Sequence, residues 1–328
     1  MALYIVRRVL LMIPTIFGIS IVTFIIIQLP PGDFLTTMLA GMASQGEDIN
    51  REAIAVLQEQ YGLGQPIYVQ YWKWFSGIIF RGDFGQSFEY NRPVADLIWD
   101  RIGFSIALAV LTLLLSWLIA FPIGFFSATH QYTASDYLFT FIGFIGLAIP
   151  EFMLALILLY VSFKYFGLSV GGLFSPEYAD AVWSLARLGD LLRHLWIPVM
   201  IISVAGTAGL IRITRANLLD ELNKPYVVTA RAKGMSETRL LLKYPVRVAL
   251  IPFVSTVGWE LPAIISGEAI IGIVLNLQTT GPLLLGALRS EDMYLAGSLI
   301  FIVSVLTVIG TLISDIALAW MDPRIRYS

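Results

Sequence analysis

Four carboxylates, Glu151, Glu260, Glu268 and Asp315, stand inside stretches made almost entirely of apolar residues. An acidic side chain turned toward lipid costs about 2.5 to 3.5 kcal/mol on insertion scales, so these groups must face protein or a water-filled path. In such a place a carboxyl either carries a proton or cation, or closes a hydrogen bond between packed helices. Glu260 and Glu268 share one run, and eight residues of α-helix bring them to about 80° of each other around the axis. Both can then line one lumen, a setting suited to a cationic or amine-bearing solute. Glu260, Glu268 and Asp315 are the candidates for a translocation path. The packing alternative stays open for Glu268 and weighs more for Glu151, beside Pro150, and for Asp315, which a basic residue near the cytosolic mouth would pair.

The second chemical cluster is cationic. The stretch TARAKGMSETRLLLKYP, Thr229 to Pro245, carries Arg231, Lys233, Arg239 and Lys243, with Arg247 two positions on. On a helix Arg239, Lys243 and Arg247 fall on one face, and like charges at that spacing destabilise it by a few tenths of a kcal/mol per pair. An anionic counterpart is needed, and lipid headgroups supply one. Ala230, Ala232, Gly234 and Met235 are small or soft residues that let another protein's groove close around them.

Other chemistry is missing. Cysteine does not occur, and the two histidines, His130 and His194, lie far apart with no H-E-x-x-H pattern, so a catalytic metal is not expected. No G-x-x-x-x-G-K-[ST] loop is present, so the backbone cradle and lysine that ATP phosphates require are absent from this sequence.

The elements that must position these residues are membrane spans. Of 328 residues 57% are hydrophobic and 13% charged, with mean hydropathy +0.79, far from ordinary soluble domains. Six runs reach the roughly 20 apolar residues that a bilayer about 30 Å thick requires: 9–29, 102–128, 137–163, 195–213, 248–275 and 295–320. The first has a basic start like that of a cleavable signal, but it is long and no small-x-small site follows, so a retained helix is expected. Arg7 and Arg8, eight basic residues from Arg212 to Arg247, and Arg324 and Arg326 fall on one side of this arrangement; nine lie on the other, spread over about twice the length. The positive-inside rule then places both termini and the 212–247 loop in the cytosol. The net charge of −2 gives no support to nucleic-acid binding.

Two inserts stand out. Residues 30–101 form one extracytoplasmic segment with nine acids. Ile54, Leu57 and Tyr61 recur there at helical spacing, Pro66 begins a further helix, and Tyr71, Trp72, Trp74 and Phe75 suit an interfacial one. It serves as a cap over the first helices or as a docking platform. In the cytosolic loop Asn223 is suited to cap a helix with Pro225 in its first turn, and Gly234 to end it at positive φ. Ser236 then caps a second helix with Glu237 in its first turn. Two short helices hinged at a glycine make a knob held by spans four and five.

The segment YVVTARAKGMSETRLLLKYPVRVALIP, Tyr226 to Pro252, resembles the coupling-helix signature of ABC importer permeases, in particular the dipeptide and oligopeptide family. RRVLLMIPTIFGISIVTFIIIQLPPGD, RGDFGQSFEYNRPV and the terminal MDPRIRYS resemble the same family, so the likeness covers nearly the whole chain. Val228 stands where the broad importer signature has a glutamate, and Tyr244 to Arg247 replaces its Ile-x-Leu-Pro end; the peptide branch lacks both features too. That branch tends to read His-Ala-Leu-Arg-Asn where this chain has Tyr244-Pro245-Val246-Arg247-Val248.

The resemblance implies an all-α membrane protein of the type I importer permease class. It would have six transmembrane helices, a cytosolic coupling helix and an extracytoplasmic insert between helices 1 and 2. The organisation expected is 1–29 for the N-terminus and first span, 30–101 for the insert, and 102–328 for a five-helix core with coupling helices at about 223–243. It implies that Thr229, Ala230, Arg231, Ala232, Lys233, Gly234, Met235 and Ser236 engage the ATPase. The partners implied are a second, non-identical permease, two ATP-binding subunits and an extracytoplasmic solute-binding protein, with no cofactor on this chain and ATP and Mg on the ATPases. The chain would sit as a multi-pass protein in a prokaryotic inner membrane and import di- or oligopeptides. Oligosaccharides and nickel chelates are the alternatives within the family. An ion-driven secondary transporter with Glu260 or Glu268 as proton carrier, and a non-transporting anchor, are those of other classes.

Overall fold

The computed structural model describes residues 2–28, 65–87, 89–167 and 171–321. In chain order they form α1 (Ala2–Gln28), α2 (Ile67–Ser76) with a π-helical turn (Gly77–Arg81), strands β1 (Gln86–Ser87) and β2 (Arg92–Pro93), and α3 (Val94–Thr129). There follow α4 (Ala134–Ala148), α5 (Glu151–Phe166), α6 (Leu185–Leu222), α7 (Pro225–Ala232), α8 (Glu237–Lys243) and α9 (Pro245–Ala249). The last four are α10 (Ile251–Gly267), α11 (Ala269–Val274), α12 (Thr280–Arg289) and α13 (Met293–Met321). The helical spacing of Ile54, Leu57 and Tyr61 lies outside the described residues.

The all-α membrane architecture expected from the sequence is present. Five helical stretches among the described residues are long and apolar enough to cross a membrane: Leu3–Gln28, Val94–Thr129, Leu185–Leu222, Glu237–Gly258 and Met293–Met321. The fourth begins within the short helices α8 and α9, and its helical path continues through α10 and α11. A sixth apolar stretch is sharply bent. The expected single helix over 137–163 is instead α4 and α5, bent by 97°. Pro150 has no N–H to donate and pushes the residue before it out of the helical region, so Ile149 is extended at φ −85°, ψ 120°. The other prolines act differently: Pro14, Pro122, Pro198 and Pro262 stay inside continuous helices, where neighbouring groups can re-satisfy the freed carbonyls.

Packing follows three long pairings, α3 along α6, α10 along α13 and α1 along α13. Helices in lipid gain little from the hydrophobic effect and associate by close contact. Gly124 illustrates the requirement: a Cβ there would meet the Thr214 side chain at 2.7 Å and the Ile211 carbonyl at 3.0 Å. At the proximal end, where α1 begins and α13 finishes, Arg8 pairs with Asp315 at 2.8 Å. Ala128, Leu218 and Ala249 close the bundle at the ends of α3, α6 and α9. At the distal end Trp74 is buried against Phe24 and Phe301, and Tyr71 donates or accepts a 2.8 Å hydrogen bond with Ser20. The aromatic helix α2 therefore caps α1 and α13, with Trp72 left exposed. Asp292 fastens the hairpin to α13, accepting from Ser87 Oγ at 2.6 Å, from the Glu89 N–H at 3.4 Å and from the Leu295 N–H at 3.2 Å.

Candidate coupling element and central cavity

The knob forms as two short helices with a glycine between them. α7 has Pro225 in its first turn, but its N-cap is Lys224, because Asn223 still belongs to the end of α6. At the far end of α7 the Gly234 N–H donates to the Arg231 carbonyl at 3.0 Å and the Met235 N–H to the Ala230 carbonyl at 3.3 Å. These are the two bonds of a Schellman turn, which needs a left-handed residue between them; Gly234 supplies it at φ +78°. Ser236 occupies the N-cap position of α8 without a side-chain capping bond, and Glu237 sits in the first turn. Glu237 has a further role that the sequence reading missed. Arg231 Nε and Nη2 donate to its two carboxylate oxygens at 3.1 and 2.6 Å, clamping α7 to α8. That hydrogen bond raises the Arg231 pKa; a guanidinium is cationic in any case.

The eight proposed coupling residues divide by exposure. Thr229, Arg231, Ala232, Lys233, Gly234 and Ser236 are exposed and Met235 is half-buried, whereas Ala230 is buried with Val227 and Leu240 as the knob's own core. Ala230 is small because Leu240 packs on it. Ala230→Leu is therefore expected to overpack this core and cost about 1–3 kcal/mol, read as earlier melting of the complex. Pro225, Val228, Thr229 and Ala232 recur at helical spacing and are all exposed, giving α7 an outward ridge without charge, backed by the buried Val227 and Ala230. Arg239, Lys243 and Arg247 are all exposed, but they do not lie on one unbroken helix. The helix stops at Tyr244, whose φ −117° and ψ −76° precede Pro245, and Arg247 belongs to α9.

The knob is joined to the bundle without slack, by Asn223 and Lys224 to α6 and through α9 to α10. Those two spans, with α3 and the start of α5, line a partly open cavity of about 380 Å³. Thr112, Ser116, Ala205, Gly206, Gly209 and Thr256 line it, and two carboxylates, Glu151 and Glu260, reach it. Ala205 and Gly209, whose spacing suggests helix-to-helix contact, here leave space open: a Cβ on Gly209 would meet nothing within 4 Å.

The three path candidates are placed apart. Glu260 lines the cavity. Glu268 does not: its N–H still donates to the Ile264 carbonyl at 3.0 Å, so the helical phase continues, but eight residues carry it about 12 Å along the axis, where it lies 1% exposed at the α10–α11 junction. Ser105 Oγ donates to its Oε1 at 3.0 Å, and Ser105 in turn accepts from the Thr280 N–H and Oγ1, each at 2.8 Å, which ties α3, the junction and α12 together. Asp315 pairs with Arg8 beside a separate recess between α1 and α13. Glu151, read from sequence chiefly as a packing group, joins Glu260 instead. The signal that could have found it is Pro150 before it, since a broken span exposes its new helix start to whatever cavity the break creates.

Comparison with known proteins matches residues 1–109 to the N-terminal region, and residues 120–327 to the main region, of binding-protein-dependent transport system inner membrane components. Over the full length of both chains it is 38% identical to the oligopeptide transport system permease protein AppB of Bacillus subtilis. The dipeptide transport system permease protein DppB of Alkalihalophilus pseudofirmus is 29% identical over the full length of both, and the glutathione transport system permease protein GsiC of Escherichia coli K12 is 30% identical over 99% of both. With its apolar spans and these matches, the chain belongs to the binding-protein-dependent transport family, as an inner-membrane ABC permease subunit.

Proposed function

We propose that this permease moves di- or oligopeptides inward, the solute class for which its relatives AppB and DppB are named. The knob of α7 and α8 faces the cytosol with both termini, as the excess of Arg and Lys on that side supports. Two ATP-binding subunits grip the pair formed by this chain and a second, non-identical permease, with ATP and Mg held on those subunits. A solute-binding protein delivers the peptide on the opposite face.

The observation that carries this reading is the uncharged exposed ridge on α7, attached directly to two spans that line the central cavity. A push on the ridge as the ATPases close is delivered to α6 and α10, which hold Ala205, Gly209 and Glu260. The cavity then opens alternately to the two sides. Glu268 lies outside this cavity and accepts from Ser105 on α3, which favours a packing role.

Reconstitution of the complete complex in proteoliposomes tests this. Uptake of a labelled tripeptide should require ATP and the binding protein and fall to background without either. Uptake driven by a proton gradient alone, in liposomes lacking the ATPases, would overturn it.

A further inference from the structure

The central cavity holds two acids and, among its described lining residues, no Lys, Arg or His. Glu260 stands in the middle of α10, away from either helix end, so no helix terminus offsets its charge. Glu151 is the first residue of α5, where the helix dipole favours a carboxylate. An independent feature points to a bound group. Thr112 is only 2% exposed and lines the cavity, yet its hydroxyl has no hydrogen-bond partner in the structure. A helical threonine usually satisfies itself on the carbonyl three or four residues back, as Thr214 does with Leu210 at 2.6 Å. Leaving a buried polar group unpaired is unfavourable, and a ligand in the cavity would supply the missing partner.

From these placements we infer that the cavity is a station for a cationic group of the solute. The ammonium end of a peptide rests between Glu260 and Glu151, with Thr112 Oγ1 accepting one of its hydrogen bonds. An ammonium offers three donors and no acceptor, which matches two carboxylates and a hydroxyl. The inference rests on the peptide reading above for the identity of the solute. The station itself predicts only charge, so the two can be told apart.

The chain has no cysteine, so Ala205→Cys places a single thiol of this chain at the cavity wall. In the complete complex in nanodiscs, its labelling by a trimethylammonium methanethiosulfonate is compared with that by the sulfonate reagent. Each rate is scaled to a free thiol and followed by mass of this chain. The cationic reagent should react about tenfold faster, the range over which a cleft of one charge sign concentrates its counter-ion. Adding Glu260→Gln should reduce the ratio, and Glu151→Gln with Glu260→Gln should bring it close to one. Equal rates in the parent, a ratio untouched by the double substitution, or no labelling in any nucleotide state would overturn the station. In proteoliposomes, trialanine uptake should fall about tenfold in Glu260→Gln and recover in part in Glu260→Asp. Unchanged uptake in the double variant would also overturn it. A charge-dependent labelling ratio with no trialanine uptake by the parent would keep the station and remove the peptide reading.

Discussion

Gly234→Val is expected to lower ATP-driven uptake at least tenfold while leaving the bundle assembled. The residue sits at φ +78°, a left-handed conformation that costs L-residues about 1–2 kcal/mol and is a genuine outlier for a β-branched one. Space is not the obstacle, since a Cβ at this position meets nothing within 4 Å in this chain. The strain falls on the turn that sets α8 against α7 through the Gly234 and Met235 N–H bonds. Once that turn rearranges, the outward ridge no longer presents one surface. Asparagine adopts the left-handed region readily, so Gly234→Asn should keep most of the uptake. Equal loss with asparagine would move the cause to a partner surface packed on Gly234. Unimpaired uptake with valine would remove the knob from the mechanism. ATP hydrolysis and uptake measured together on proteoliposomes decide among these outcomes.

Arg215→Ala is expected to destabilise the complex by about 3 kcal/mol, read as a lower melting temperature in nanodiscs. Arg215 Nε and Nη2 donate to the two oxygens of Asp136 at 3.0 and 2.9 Å, and the Tyr132 N–H adds a third bond at 3.0 Å. Asp136 is 2% exposed, so removing its partner leaves a buried carboxylate without its cation, the costly way to break such a pair. The site is also where α4 is held: Asp136 is the one buried residue of that helix, whose other faces carry exposed Tyr137, Phe141 and Phe144. Arg215→Leu combined with Asp136→Asn should recover much of the loss, because both charges then leave together. A single substitution that melts like the parent would show that the pair contributes nothing to anchoring α4. The pairing joins residues 79 positions apart in sequence, and each alone looks like an ordinary charge near a span end.

The parts legible in the sequence were those governed by local physics. Apolar length announces a span because backbone groups in lipid have to be satisfied within the helix. Pro225 and Gly234 announced the limits of α7 for the same kind of reason, a fixed φ at one end and a left-handed residue at the other. Hydropathy could not show the break in the span over 137–163, because α4 and α5 are both apolar and only the local geometry at Ile149-Pro150 turns one against the other by 97°. Nor could a helical wheel show that Glu268, two turns along the axis from Glu260, meets Ser105 on α3 instead of the cavity.

Sequence by itself determined that this is a helical membrane protein with a hinged, charged loop, since composition and spacing act residue by residue. Only the tertiary structure decided what each polar group meets. It buried Ala230 beneath Leu240, fastened Arg231 to Glu237, shut Glu268 in with Ser105, and brought Glu151 to the same cavity as Glu260. The physical reason is that a side chain's surroundings come from helices distant in the chain, and no local pattern records which face of one helix will lie against another.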